Sequence, residues 1–294
     1  MAQNVEIRTH DGTVLRGLFY PTQPLAPVVI ISAGLSGIKE HFLPAYAERF
    51  QKAGYAVVLY DHRNWGESEG LPRHHSNHYE QVQDTHCVVH YISTHLDVDP
   101  ARIALWGSSF SGGIALIVGA LDPRIKVVIS QVPFISGKIK KARPPDALLA
   151  KVYANRGQTS SSDPTYIPIY PESLEEAQNP ANGAIMGSEE CFHHYADVRN
   201  LEPRRENKTT LQTLFHIMRS EPQSYVSQIS PKPLLMVVSL KDTLIDPRQQ
   251  VAVFNEAGEP KQLLKIDCGH FDVYRGESFE GNVLTQVAFL DKYL

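Results

Sequence analysis

Five runs of strand length, each apolar almost throughout, constrain this chain more than any other feature. They are Pro27–Ser32, Tyr55–Tyr60, Arg102–Trp106, Ile125–Ser130 and Pro233–Ser239. A strand that is apolar at successive positions is covered on both faces, as in a parallel sheet sandwiched between helices. Helix signals separate the first four runs. Residues 39–53 carry Phe42, Tyr46 and Phe50 at four-residue spacing and end at Gly54, which suits a left-handed cap. Residues 78–96 and 110–120 read as the next two helices. Strand-helix-strand alternation at this spacing means βαβ crossovers. Ahead of it, Val5, Ile7 and Thr9 alternate, Asp11-Gly12 follows, and Val14 to Tyr20 return, which predicts a hairpin. A helix from Pro247, a strand at Gln262–Ile266 and a helix near 278–293 close the chain.

The rhythm breaks between Pro133 and Pro231. A structureless loop of roughly a hundred residues does not occur in a compact domain, so an inserted substructure is expected there. It is rich in prolines and aromatics, and helical fragments are expected near 145–155 and 207–220. The division is thus a core of 1–132 and 232–294, with an inserted helical cap at 133–231.

Composition narrows the function. The chain has 294 residues, with 28 Lys and Arg against 32 Asp and Glu, a net charge of −4. That balance argues against nucleic acid as a partner, because binding the phosphate backbone needs a basic surface. The start, MAQNVEIRTHDG, lacks a signal-peptide pattern, and no apolar run approaches the ~18 residues of a membrane span. Cys87, Cys191 and Cys268 are odd in number and far apart, which fits a reducing, cytoplasmic setting. His86 and His90 share a helical face, but no Glu follows His86 and no cysteine pair is near, so they read as a solvated face, not a metal site. His193-His194 reads the same way, and Cys268 reads as a packing residue.

Residues 107–111 read Gly-Ser-Ser-Phe-Ser, then Gly112-Gly113, between a buried strand and a helix start. A tight strand-to-helix turn of this kind presents a nucleophile on strained backbone, and its neighbours two residues away must be small. Gly107 fits, and Ser111 replaces the usual second glycine. The register makes Ser109 the nucleophile, since neither Ser108 nor Ser111 has glycine two positions before it. A phosphate site at the same helix start is the competing reading, but the lysine of a P-loop is missing.

A serine hydroxyl needs a base, and the base an orienting carboxylate. Two loops at the carboxyl ends of later strands qualify. One carries Asp242 and Asp246, the other Asp267, His270 and Asp272. Asp246 precedes Pro247 and reads as a helix cap, which leaves Asp242 as the acid and His270 as the base.

At this point the sequence resembles the α/β-hydrolase superfamily over nearly its whole length. Ala33-Gly34-Leu35-Ser36-Gly37, Gly54-Tyr-Ala-Val-Val, the stretch Asp61 to Arg73, Lys241-Asp242-Thr and Gly269-His270-Phe-Asp-Val-Tyr274 carry the likeness. Together they look like the subgroup of intracellular serine hydrolases that includes fungal polyketide thiohydrolases and polyketide acyltransferases. The resemblance implies an oxyanion hole from the backbone N–H groups of Phe110 and Leu35, with Ala33-Gly34 standing where the family usually has His-Gly. It also implies that the 61–73 stretch is structural.

The expected protein is therefore an α/β-hydrolase, a mostly parallel sheet with an N-terminal hairpin and an inserted cap. It would cleave an ester or thioester of an apolar, polyketide-like acyl group through an acyl-enzyme on Ser109, without metal or organic cofactor. Water or an alcohol would resolve the intermediate, and an acyl-carrier domain is a candidate donor. Phe134, Tyr166, Tyr170, Phe192 and Tyr195, with Phe215, are the candidate acyl contacts, against the plainer reading of cap core. A non-catalytic ligand-binding protein on the same fold is the rival, but it would have no need of all three triad residues.

Overall fold

The computed structural model describes residues 2–139, 144–157 and 163–294. Its strands are β1 (Gln3–Arg8), β2 (Val14–Tyr20), β3 (Ala26–Ser32), β4 (Ala56–Tyr60), β5 (Val98–Ser108), β6 (Ile125–Gln131), the short β7 (Tyr166–Ile167) and β8 (Thr209–Thr210), then β9 (Leu234–Ser239) and β10 (Lys261–Ile266). Eight of them form one sheet in the order β1-β2-β4-β3-β5-β6-β9-β10. The β1–β2 and β2–β4 pairs are antiparallel and the rest parallel. The hairpin turns at Asp11-Gly12, where Gly12 has φ +91° and the Asp11 carboxylate accepts from Thr9 Oγ1 and the Thr13 N–H.

The apolar runs are covered on both faces. Val28, Ile30, Leu105 and Val128 point to one side, where they pack with α2 (His78–His95), α3 (Phe110–Leu121) and α8 (Pro247–Glu256). Val29, Ile31, Trp106 and Ile129 point to the other, against α1 (Leu43–Lys52) and α9 (Gly276–Tyr293). The first helix begins later than its spacing predicts. Phe42 takes a left-handed backbone at φ 59°, and Pro44 fills the first turn, where its missing N–H costs nothing.

Between β6 and β9 the chain forms α4 (Asp146–Arg156), α5 (Leu174–Gln178), α6 (Glu189–Leu201) and α7 (Gln212–Met218), with β7 and β8 pairing as a two-stranded ribbon. The fragment expected at 207–220 splits into β8 and α7. Helix α6, which sequence reading missed, is capped by Ser188 accepting from the Cys191 N–H. Among the described residues, no helix is long and apolar enough to cross a membrane.

Several histidines are buried as neutral rings. His75, His78 and His216 meet where α7 packs on the start of α2, and His75 Nδ1 lies 2.6 Å from Thr210 Oγ1. Burial pushes His75 and His78 down to about 4 and His216 down to about 3. An unfolded histidine titrates near 6.5, so below that pH the unfolded chain binds protons that the folded chain refuses. Stability is therefore full above about 6.5 and falls as pH drops towards the folded values. Each ring contributes a slope of up to ~1.4 kcal/mol per pH unit. The urea midpoint is expected to fall steadily from pH 7 to pH 5, and His216→Phe is expected to flatten that slope. A midpoint independent of pH over this range would contradict the assignment.

Candidate active site

The strand-to-helix turn after β5 places Ser109 at φ 56°, ψ −119°, a conformation outside the ordinary regions for a residue with a side chain. Three backbone bonds hold it there, one of them from the Gly113 N–H to Ser109 O at 3.2 Å. The Ser109 N–H donates to Gln131 O at 2.8 Å, and the Phe134 N–H donates to Ser109 O at 2.9 Å. Gly107 has no alternative, since a Cβ there would lie 2.0 Å from the Ser111 carbonyl. Beneath the turn runs a buried polar network. Gln131 Nε2 donates to Ser108 Oγ at 3.2 Å, and Gln131 Oε1 accepts from Asn282 and Gln286 at 2.6 and 3.0 Å. The buried amides here are satisfied by one another and by Ser108, Tyr46 and Trp106, which fixes β6 against the turn.

His270 follows β10 and is fully buried. Its Nε2 lies 3.0 Å from Ser109 Oγ and its Nδ1 lies 2.7 Å from Asp242 Oδ2. Asp242 is held in turn. Its Oδ1 accepts from the Leu244 and Ile245 N–H groups, both at 2.8 Å, and its Oδ2 also accepts from Gln250 Nε2 at 3.3 Å. The carboxylate thus accepts a hydrogen bond from the Nδ1–H, and the Nε2 lone pair faces the serine. Burial alone would lower the imidazole pKa, but the Asp242 charge and hydrogen bond, with Glu190 adding to them, raise it above its ordinary value. Asp246 instead caps α8, accepting from the Arg248 N–H at 2.9 Å.

Leu35 and Phe110 flank Ser109, and among the described residues neither backbone N–H has a protein acceptor. Gly34 brings this loop close, since a Cβ there would lie 3.0 Å from Ser109 Cβ. Ser111 does more than be small. Its hydroxyl donates to Ala33 O, and His62 Nε2 approaches that hydroxyl at 2.8 Å. Burial pushes His62 down to about 4, so it is a neutral ring whose Nε2 proton serves this chain of bonds. His62 and Ser111 thereby support the Ala33-Gly34-Leu35 turn where the customary histidine is missing. They lie 49 residues apart, a pairing that no local pattern shows.

A cavity of about 540 Å³ opens at Ser109, a size typical of small-molecule sites. Leu35, Phe110, Phe134, Met186, Leu214 and Ile217 are among the side chains that make its wall mostly apolar. A smaller recess of about 40 Å³ on Ser109 is lined by Tyr170, His194, Phe271 and Tyr274. Of the candidate acyl contacts, Phe134 thus lines the large cavity and Tyr170 the small one. Tyr166, Phe192 and Tyr195 line neither. Tyr195 stacks on Tyr170 at 5.1 Å in a separate apolar cluster, Tyr166 donates to Arg73 O at 3.2 Å, and Phe192 sits beside His193. Met186, Leu214 and Ile217, which sequence reading passed over, take their place.

The 61–73 stretch is tied into the core. Asp61 accepts from the Lys39 N–H at 2.7 Å, and Arg63 pairs with buried Asp84. Glu40, Asp61 and Glu67 come close enough to share a cation, but the Lys39 ammonium lies among them at 2.7, 2.9 and 2.7 Å. His86 Nδ1 donates to the buried Asp122 carboxylate at 2.8 Å, so it is a structural partner and not part of a metal site.

The comparison with known proteins agrees with this architecture. A family model described as Hydrolase_4, serine aminopeptidase S33, matches residues 23–271. Polyketide transferase af380 of Aspergillus fumigatus is 31% identical over 99% of this chain and 98% of its own. Thiohydrolase aneE of Aspergillus aculeatus is 30% identical over 99% of this chain and 93% of its own. The crystal structure of alpha/beta hydrolase GrgF from Penicillium sp. sh18 superposes with a TM-score of 0.87 at 28% identity, covering 100% of this chain and 99% of that one. With the family match spanning most of the sheet and these relatives matching end to end, the chain belongs to the Hydrolase_4, serine aminopeptidase S33, family and is an enzyme of the α/β-hydrolase fold.

Proposed function

We propose that the enzyme cleaves an ester or thioester of an apolar, polyketide-like acyl group through an acyl-enzyme on Ser109. The observation that carries this reading is the hydrogen-bonded chain Asp242–His270–Ser109 opening into an apolar cavity. Ser109 Oγ attacks the acyl carbonyl and its proton passes to His270 Nε2. The Leu35 and Phe110 N–H groups receive the developing oxyanion, and such donors are worth ~2.7–4 kcal/mol each in the transition state. The carbon–sulfur or carbon–oxygen bond breaks as His270 returns the proton to the leaving group. Water or an alcohol then gives its proton to His270 and attacks the acyl-enzyme, releasing an acid or a new ester. Relatives named as transferase and as thiohydrolase lie at nearly equal identity, so both acceptors belong to this reading.

The residues between β6 and β9, about 133–231, act in this reading as a cap that selects the acyl group. They supply Phe134, Met186, Cys191, Leu214 and Ile217 to the cavity wall. An acyl-carrier domain is the natural donor of a thioester, and the three free thiols suit a reducing cytoplasm. Each methylene buried in such a wall adds ~0.8 kcal/mol, or roughly fourfold in affinity. The specificity constant for acyl thioesters of rising chain length is therefore expected to climb until the cavity is full. Assays with and without added alcohols divide the product between acid and ester. A flat chain-length series would remove the acyl-pocket reading.

A further inference from the structure

We propose that Glu190, at the start of α6, is a positioning residue that ties the histidine loop to the acid loop and adds its charge to the field acting on His270. The inference rests on reading Asp242, His270 and Ser109 as the reacting triad, and it adds a fourth group from a different part of the chain.

The geometry is specific. Glu190 Oε1 accepts from the His270 backbone N–H. Glu190 Oε2 accepts from Thr243 Oγ1 and, at 3.4 Å, from the Thr243 N–H. Thr243 is the residue next to Asp242, so one carboxylate grips the neighbour of the acid and the backbone of the base. The sequence makes room for it at Gly269, where a Cβ would lie 2.6 Å from Glu190 Oε1. Gly269 is not needed for an unusual φ, since it lies outside the positive-φ residues. A side chain at 269 would displace this carboxylate from the His270 N–H.

The surroundings of His270 show what the charge can do. Asp242 comes from the acid loop, Glu190 from α6, and Asp272 from the histidine loop itself, where it accepts from the Gly269 N–H at 2.8 Å. His194 of α6 stacks on Phe271 at 3.7 Å, but burial holds its pKa well below the ordinary value, so it is uncharged. Asp242 and Glu190 thus both favour the protonated imidazole and make it a stronger base. Asp242 is the dominant one and Glu190 adds to it. Glu190 sits on α6, whereas both loops leave the sheet. Its contacts therefore join α6 to both catalytic loops.

The test is an NMR titration of the His270 imidazole in the whole protein, with its signal assigned by loss in His270→Gln. Glu190→Gln removes the charge at nearly constant shape, Glu190→Asp keeps the charge but shortens the reach, and Glu189→Gln removes an exposed charge one residue away. Expected is a His270 midpoint lowered by about half a pH unit or more in Glu190→Gln, largely retained in Glu190→Asp and unchanged in Glu189→Gln. The acid limb of kcat/KM against pH is expected to move with it. A His270 midpoint that stays at the wild-type value in folded Glu190→Gln overturns the proposal, as does an equal shift in Glu189→Gln. The titration reads the ring itself and needs no turnover. Failure of the triad reading would show separately, as a wild-type Ser109 that does not react with a serine-directed probe.

Discussion

Ser109→Ala is expected to lower turnover of an activated ester by ~10⁴–10⁶, the usual loss when a triad nucleophile is removed. The fold should survive, because the change removes one oxygen at a turn whose geometry is held by the Gln131 and Phe134 backbone bonds. Circular dichroism and the urea midpoint check the fold, and steady-state kinetics checks the loss. Residual activity above the uncatalysed rate would come from the Leu35 and Phe110 N–H groups, which the substitution leaves in place.

The second large effect separates two aspartates four positions apart. Asp242→Asn is expected to cost ~10⁴ in kcat, as the matching change does in the best-studied serine triad, which belongs to another protein. The hydrogen bonds of this site give the reason. The Leu244 and Ile245 N–H groups both donate to Oδ1, so an asparagine must place its carbonyl oxygen there. Its NH₂ then faces His270 Nδ1 and donates to it. The ring must take the other tautomer, with a proton on Nε2 directed at Ser109, and it can no longer accept the serine proton. Asp246→Asn keeps an oxygen for the Arg248 N–H and weakens an exposed ion pair to Arg248, worth ~0–1 kcal/mol. It is expected to leave kcat within a few fold. Equal losses in the two variants, measured on the same ester, would contradict the assignment of the acid.

These two aspartates also show how far the sequence reaches. Asp246 was readable as a cap because the signal is local, an acid directly before Pro247. The parallel strands were readable because both faces are covered, so every position had to be apolar. The placement of Ser109, Asp242 and His270 on one sheet edge follows from each lying just after a parallel strand. Helix α6 was illegible for a different reason. Its buried stripe is Cys191, His194, Tyr195 and Val198, at helical spacing, but a histidine within it breaks the apolar pattern. Ser188 as a cap, followed by two glutamates, was the available signal. The aromatic residues offered as acyl contacts were chosen by type. Burial against one another, as in the Tyr170–Tyr195 stack, satisfies an aromatic ring as well as a ligand does. Apart from Phe110 and Phe134, the cavity wall is built largely from other side chains, Met186 before α6 and Leu214 and Ile217 of α7 among them. His62–Ser111 and Glu190–His270 join residues 49 and 80 apart, and only the folded chain brings them together.

Of three neighbouring serines, Ser109 is assigned as the nucleophile. Ser108 Oγ is buried 2.6 Å from Tyr274 OH, and Ser111 Oγ is committed to Ala33 O, whereas Ser109 Oγ stands 3.0 Å from the base at the cavity floor. Labelling the native protein with a fluorophosphonate and mapping the adduct by peptide mass spectrometry distinguishes them directly. A single adduct on Ser109 is expected, lost in Ser109→Ala and strongly slowed in His270→Gln. An adduct on Ser108 or Ser111, or none on the folded protein, would contradict it.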